Sequence, residues 1–248
     1  MAQTQIIEQR LKKFENWSLK SGAHQPDSTF CVMEAVAFVA GEPWSDHPRC
    51  ACPIISAFLR SWNDSLPSDA ERDRLLKPLI SSLVNTRSTK KVELKRGLMA
   101  ADWLIRVHTP AWLRLAGLTK QAENLEQLPE ITAMKQFPSL EAPIEAARQD
   151  AAAARDAAWA AARDAAGDDA GAAAWDAAGA AAGDAAWAAA WAAARAAARD
   201  AAWAAAWAAA RDAARAAARD AAWEKFAPTM RKLQESALAL VERMIEAK

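Results

Sequence analysis

The sequence predicts an all-α protein, and two observations support this fold class. Between Glu145 and Trp223 there is no Val, Ile, Thr, Phe or Tyr, and Ala fills most positions, which is typical of helices and not of strands. In the preceding part of the chain, apolar residues recur at helical spacing between turns that contain Pro or Gly. We therefore expect a helical N-terminal domain at 1–136, a region of long repeat helices at 137–226 and an amphipathic C-terminal helix at 227–248.

The N-terminal domain is predicted to consist of helices that each bury one face. Leu75, Leu79 and Leu83 illustrate the apolar spacing, and Ser68 followed by Glu71 predicts a capping box at a helix start. The same apolar spacing occurs at Leu98, Ala101, Leu104 and Ile105. The predicted helices span 4–19, 29–40, 52–63, 69–85, 92–107, 110–117 and 119–127.

Pro and Gly residues mark the predicted ends of these helices, because Gly favours the backbone at a helix end and Pro cannot continue a helix. In particular, a break is expected between the helices before and after Pro110. The stop signals are Gly41-Glu42-Pro43, Leu66-Pro67-Ser68-Asp69, His108-Thr109-Pro110, Gly117 and Pro129.

A four-residue repeat runs from Arg155 to Trp223. Every fourth position is Arg, Trp or Gly, and the residues between are Ala or Asp, with Asp169 as the one departure from the pattern. Because an α-helix has about 3.6 residues per turn, a period of four moves the marked position by about 40° per unit. The repeat therefore excludes a coiled-coil seam and predicts tryptophans on more than one side of a helix.

The glycines of the repeat predict where it turns. Gly167 to Gly171 reads as a turn, which divides the region into a helix from about Ile144 to Ala166 and one from about Ala172 to Phe226. The arm before Trp187 is rich in Asp and the arm after it is rich in Arg, so an antiparallel hairpin is favoured. The same charges also allow the two arms to pair between chains. Pro228 is predicted to open the last helix.

The seven tryptophans of the repeat predict an interaction surface. Each indole buries roughly 150 to 250 Å², too much to leave in water, so these side chains need partners in the same chain or in another one. Our favoured function is a non-enzymatic interaction or assembly protein that binds itself or another protein, with Arg and Asp fixing the register. The predicted interaction residues are Trp187, Trp191, Trp203, Trp207, Trp223, Arg195, Arg199, Arg211 and Arg215.

The charge and composition of the chain limit which partners and which cellular location we expect. The formal net charge is zero and the pI is about 6.8, so there is no overall field for nucleic acid or an anionic membrane. No run of about 18 uncharged apolar residues occurs, and the N-terminus carries no apolar signal region. We expect a cytoplasmic protein without membrane contact, whose three cysteines are reduced thiols.

Two segments of the N-terminal domain and one near the C-terminus resemble a known family. These are Cys31 to Pro48, Ala57 to Asp64 and Pro228 to Leu238. They are similar to a family of bacterial and phage-encoded proteins, many of which carry Ala/Trp-rich C-terminal stretches. The family has no established activity, so the resemblance implies no catalytic residues.

A zinc site is the alternative suggested by Cys31, His47, Cys50 and Cys52, because thiolates and imidazole are preferred zinc ligands. The spacing is not that of a common zinc finger, and the apolar neighbours of Cys31 favour simple burial. We therefore expect no cofactor. A small enzyme centred on Cys31, Glu34 and His47 is a further alternative, since a carboxylate beside a histidine is suited to acid–base chemistry.

Nucleic-acid binding is the remaining alternative. A basic run lies at a loop and helix start, and Arg and Trp alternate in the repeat as in a surface that pairs phosphate contacts with base stacking. The acidic residues of the repeat argue against this function. The residues concerned are Arg87, Lys90, Lys91, Lys95 and Arg96, with Arg195, Arg199, Arg211, Arg215 and Arg219 of the repeat.

The last helix carries an apolar stripe made by Met230, Leu233, Ala237, Leu240, Val241 and Met244. Such a stripe suits binding to a partner, but packing on the N-terminal core is the commoner use.

Overall fold

The computed structural model describes residues 4–25, 29–154 and 226–248, and these residues form an all-α fold. No β-strand occurs in the described ranges, where Leu19 and Phe30 form an isolated bridge. The predicted fold class is confirmed. The predicted repeat hairpin lies outside the described residues.

The first helices pack around a group of aromatic rings. Helix α1 (Glu8–Leu11) continues as a 3-10 turn to Glu15 and is much shorter than the predicted helix at 4–19. Phe14 in that turn contacts Phe30 at 5.2 Å between ring centroids. Ring contacts hold the segment against the domain, so a longer helix is not needed to bury it.

Helix α2 (Val32–Val39) is almost entirely buried, and both of its ends are capped. Cys31 Sγ accepts a hydrogen bond from Glu34 N, while the Glu34 carboxylate accepts one from Cys31 N. Gly41 ends the helix at φ 71°, in the left-handed region that favours glycine. The predicted stop at Gly41 is confirmed.

Helices α3 (Pro53–Ser65), α4 (Asp69–Leu76) and α5 (Ile80–Leu83) follow, with a 3-10 turn (Lys77–Leu79) between the last two. Ser68 Oγ accepts from Glu71 N, as predicted. The Glu71 carboxylate instead pairs with Arg74, so only half of the expected capping box forms.

Helices α6 (Lys90–Trp103) and α7 (Thr109–Leu115) are joined without a break by a π-helical segment, Leu104–His108. The predicted interruption at Pro110 is therefore wrong. Pro110 lies in the first turn of α7, where a missing N–H is tolerated because the wider π turn has already altered the hydrogen-bond ladder. Helix α8 (Thr119–Glu126) ends the predicted N-terminal set.

Helix α9 covers 137–154 of the described residues, so it begins before the predicted start at Ile144. Leu140 is buried beside Leu98 and Ile131, and this packing favours helix over the stretch that contains Pro143. Further along α9, Ala147 packs against the pair of helices α7 and α8.

Helix α10 covers 226–246, and Pro228 lies inside it rather than at its first residue. Its apolar stripe belongs to the same core cluster as helices α2 to α6, which confirms packing on the N-terminal domain. The buried members of the stripe are Leu233, Ala237, Leu240, Val241 and Met244.

Arg96 fixes the end of α10 to α6. Its guanidinium is 3% exposed and donates to the carbonyl oxygens of Met244 at 2.6 Å and Ala247 at 3.1 Å. A further bond goes to the carbonyl of Thr86 at 2.5 Å. A cation at this end of a helix satisfies free carbonyls and interacts favourably with the helix dipole.

Candidate binding site

An apolar cleft in the described residues lies between α3, the junction of α6 with α7, and α10. Its volume is about 460 Å³, within the range of roughly 300 to 1,000 Å³ usual for ligand pockets. Aromatic and aliphatic side chains dominate its walls. Its lining includes Phe58, Trp62, Leu66, Trp103, Leu104, His108, Trp112, Met230, Leu233 and Ala237, together with Ser61, Ser65 and Gln234. We refer to it as the aromatic cleft.

The rings of the aromatic cleft form a continuous chain of contacts. Phe58 and Trp103 meet edge to face at 5.5 Å between centroids, and Trp103 lies 5.1 Å from His108. His108 contacts Trp112 at 6.2 Å. Such geometries are those preferred by aromatic pairs, so one ring restrains the next.

The polar atoms on two of these rings are already satisfied within the protein. Trp103 Nε1 donates to Ser236 Oγ at 2.9 Å, and Trp112 Nε1 donates to His108 Nε2 at 3.2 Å. Burial lowers the pKa of His108, which favours the neutral ring that this bond requires. The wall thus presents apolar ring surface and no charge from the histidine at neutral pH.

The π-helical segment places side chains at the mouth of the aromatic cleft. It adds residues to a turn, so the helical spacing that predicts burial of Leu104 no longer holds after Trp103. Leu104 is 50% exposed, and its predicted place on a buried face is wrong. Thr109 Oγ1 donates to the Leu104 carbonyl at 2.8 Å, which supports the altered backbone.

Gln234 is a further polar residue lining the aromatic cleft. It is 6% exposed, and its side-chain amide makes no hydrogen bond with another residue in the described ranges. The amide atoms are not fully buried, because the fully buried side-chain atoms without a partner in these ranges are Ser56 Oγ, Glu93 Oε1 and Arg106 Nε. Gln234 also lines an adjoining cavity, so its amide faces open space at the junction of the two.

The adjoining cavity is polar, with a volume of about 490 Å³, and we refer to it as the charged cavity. On one wall Arg74 and Glu71 are paired at 2.7 Å. On the α10 wall Arg231 and Glu235 are exposed. The hydrogen bond with Glu71 raises the pKa of Arg74, and the charge of Glu235 raises it further, so Glu235 already interacts with the cation on the opposite wall.

The predicted zinc ligands do not converge. No group of three or more His, Cys, Asp or Glu side chains able to hold a metal occurs in the part of the chain that the structure describes, which includes Cys31, His47, Cys50 and Cys52. All three cysteines are buried free thiols, whereas His47 is on the surface with its Nδ1 against Asp46. The Cys₃His hypothesis is wrong because the cysteines pack into the core and the histidine does not.

The predicted catalytic group of Cys31, Glu34 and His47 does not form, because Cys31 and Glu34 cap the start of α2 together whereas the His47 ring is bonded to Asp46. Glu34 is 2% exposed, and its carboxylate accepts hydrogen bonds from the backbone N and the Nδ1 of His24, a residue that the sequence analysis did not select. Burial raises the pKa of Cys31 to about 12, so the thiolate needed by a nucleophile is strongly disfavoured.

The basic run is divided between the surface and the core. Lys90, Lys91 and Lys95 are exposed, and Arg87 pairs with Glu93 at 3.2 Å. Arg96, in contrast, is buried against the end of α10, so its predicted role in binding nucleic acid is wrong. A sequence offers no signal for this, because the α10 carbonyls that Arg96 binds lie about 150 residues away.

The remaining predicted interaction residues, all within the repeat, lie outside the described residues. These are Trp187, Trp191, Trp203, Trp207, Trp223, Arg195, Arg199, Arg211, Arg215 and Arg219.

Sequence reasoning did not identify the aromatic cleft. Phe58 and Trp62 are four residues apart, as are His108 and Trp112, and this spacing places each pair on one helix face. That signal was available. Gln234 carries no such signal, because only the fold reveals that this residue lies between the two cavities.

Comparison with known proteins identifies no matching family model, curated protein or solved structure. In the described ranges, none of the helices has the length and apolar character that crossing a membrane requires.

Proposed function

We propose that this protein is a non-enzymatic interaction protein, in which tryptophans of the repeat bind other protein surfaces, including those of further copies of the chain. The observation that supports this most strongly is the aromatic cleft, a pocket of about 460 Å³ with largely apolar walls. Phe226, the first described residue after the repeat, contacts the cleft residue Trp112 at 6.2 Å. The chain that leads out of the repeat therefore reaches the aromatic cleft directly, through the contact of Phe226 with Trp112.

The hydrogen bonds and the raised pKa of the polar residues near the predicted chemical sites also favour interaction over catalysis. Glu34 and His24 bond to each other, Arg96 binds helix carbonyls, and the Cys31 thiol has a raised pKa. Each of these groups has a role in holding the fold. The buried free thiols suit a reducing compartment, and we propose the cytoplasm as the location.

Replacing Trp203 and Trp207 together by Ala tests the proposed function. Ala keeps helix propensity but removes two indoles, so we expect self-association or partner capture to weaken by at least tenfold, on the order of 1.4 kcal/mol or more. Sedimentation velocity over a range of concentrations measures self-association, and quantitative pull-down measures partner capture.

The double variant Gly179→Ala and Gly183→Ala is the matched control, since it alters two repeat positions without removing a ring. It should associate at least as well as the wild type. The proposed function would be contradicted if the tryptophan variant kept the mass and the partner binding of the wild type. Salt-sensitive binding of single-stranded RNA or DNA by the wild type would instead favour nucleic-acid binding.

A further inference from the structure

We propose that the surface covered by α10 is a receptor for a C-terminal amphipathic helix, and that it holds this helix by noncovalent contacts alone. A chain that has been cut within the repeat therefore keeps α10 in place, and an α10 segment supplied by a second molecule binds at the same surface. The inference concerns contacts between 29–154 and 226–248, so it does not depend on the proposed function.

The apolar stripe of α10 provides the first argument, because the domain covers it closely. Ala237, Leu240 and Met244 are at most 2% exposed, and their spacing of three and four residues places them on one helix face. They belong to the same buried cluster as residues of α2 to α6. Side chains with this spacing are the anchors by which a separate amphipathic helix binds in a groove.

Hydrogen bonds from α6 to α10 provide the second argument. Trp103 Nε1 donates to Ser236 Oγ at 2.9 Å, near the middle of α10. At the C-terminal end, Arg96 Nε donates to the Met244 carbonyl at 2.6 Å and Arg96 Nη2 donates to the Ala247 carbonyl at 3.1 Å. The last carbonyls of a helix have no partner within the helix, so the receptor recognises the end of α10 as well as its side.

The position of Arg96 provides the third argument, because the domain fixes this side chain without the help of α10. Arg96 Nη1 donates to the Thr86 carbonyl at 2.5 Å. Thr86 is itself held by its hydroxyl, which donates to the Leu83 carbonyl at 2.7 Å and accepts from Cys52 N at 3.0 Å. A donor group that is already oriented loses little conformational entropy when its ligand binds.

The contacts of α10 described above come from one continuous segment, 226–247. The cysteines of the chain are at positions 31, 50 and 52, so no disulfide can join this segment to the domain. The segment is thus attached by the main chain and by noncovalent contacts, and a single peptide contains its whole binding surface.

Cutting the full chain tests the inference. Recognition sequences for a site-specific protease are inserted after Ala154 and before Phe226, and the folded protein is cut at both places. We expect the outer fragments to co-elute in a one-to-one ratio in size-exclusion chromatography at about 10 µM. The midpoint of thermal unfolding should depend more steeply on protein concentration than in the uncut chain, because unfolding now separates two molecules. Release of the C-terminal fragment would overturn the inference.

A labelled synthetic peptide of residues 226–248 measures the receptor directly. It should exchange with the resident segment of the cut protein, and fluorescence anisotropy compares its variants. Leu240→Ala in the peptide should weaken binding by at least about tenfold, because this side chain is fully buried. Glu242→Ala makes the matched substitution at an exposed position and should stay within about twofold. Equal binding by the two variants would overturn the apolar stripe as the anchor.

Arg96→Lys in the cut protein tests recognition of the helix end. Lysine keeps the charge but lacks the fork of donors, so affinity for the unchanged peptide should fall by about fivefold or more. Lys95→Ala, at the exposed neighbour, should stay within about twofold. Circular dichroism of each uncut variant checks that its helices are retained. An unchanged affinity in Arg96→Lys would overturn Arg96 as the group that recognises the end of α10.

The inference and the proposed function can fail separately, because neither outer fragment contains a tryptophan of the repeat. A cut protein that carries Trp203→Ala and Trp207→Ala should retain α10 as well as the cut wild type does. Loss of α10 from this variant would show that the repeat holds the helix and would overturn the receptor. Retention of α10 supports the receptor whether or not the same substitutions weaken self-association.

Discussion

His108 illustrates how one residue of the aromatic cleft depends on its protonation state. Its Nε2 accepts the hydrogen bond of Trp112, and its ring contacts Trp103. Burial lowers the pKa of His108. A proton on Nε2 would remove the acceptor and place a charge among aromatic rings, so the protonated ring is incompatible with this arrangement.

We predict that acid destabilises the protein through His108. Because the folded pKa lies below the unfolded value of about 6.5, the unfolded chain binds more protons in acid, and stability is lost as pH falls through that value. Urea unfolding at pH 8 and pH 5 should show a smaller acid loss for His108→Phe than for the wild type. His47→Gln, at an exposed histidine, should keep most of the loss. Equal losses in the wild type and His108→Phe would disprove this role.

At the scale of helices, two glycines differ in whether the backbone requires them, so alanine substitutions at the two positions should change stability in opposite directions. Gly41 lies at the end of α2 with φ 71°, and an added Cβ would lie 3.0 Å from Ile7 Cδ1. Gly97 lies inside α6 with a normal backbone, where a Cβ would make ordinary contact with Ile54 Cδ1 at 4.0 Å. The first position needs glycine, and the second does not.

We predict that Gly41→Ala lowers the free energy of unfolding by about 1 to 2 kcal/mol, since L-residues are strained at positive φ. Gly97→Ala should raise it by about 0.5 to 1 kcal/mol, because alanine restricts the unfolded chain and favours helix. Chemical denaturation of both variants under the same conditions checks the pair. A loss of stability in Gly97→Ala would mean that the approach of Ile54 is tighter than it is in this structure.

The sequence predicted helix boundaries correctly where neighbouring residues alone determine them. Gly41 and Ser68 mark real helix boundaries, because a left-handed backbone and an N-cap are properties of a few neighbouring residues. The continuity of α6 with α7 through a π segment depends instead on tertiary packing, so Pro110 gave the wrong prediction. The aromatic cleft and Arg96 depend on contacts between distant segments, which periodicity does not report.

At the scale of the whole molecule, Arg96 connects the middle of the chain to its last residues. Four of its hydrogen bonds go to carbonyls, three of them at the end of α10. Trp103 adds a second link to the same helix through Ser236. The C-terminal helix is therefore part of the N-terminal core and not an appendage.

We predict that Arg96→Met lowers the free energy of unfolding by about 3 kcal/mol or more, because several buried carbonyls lose a charged donor. Arg96→Lys should fall between Met and the wild type, since a lysine keeps the charge but not the fork of donors. Urea denaturation measures the change. Lys95→Ala, at the exposed neighbour, should stay within about 0.5 kcal/mol. If Arg96→Met were as stable as the wild type, the link to α10 would be dispensable.

The positions of α9 and α10 define the relation of the repeat to the domain. Ala147 of α9 packs on α7 and α8, and Leu240 of α10 is fully buried in the main core. The repeat is thus an insertion whose two ends are held by one folded unit. Because these contacts of Ala147 and Leu240 lie within the host domain, we expect gain or loss of whole four-residue units to leave the packing of that domain intact.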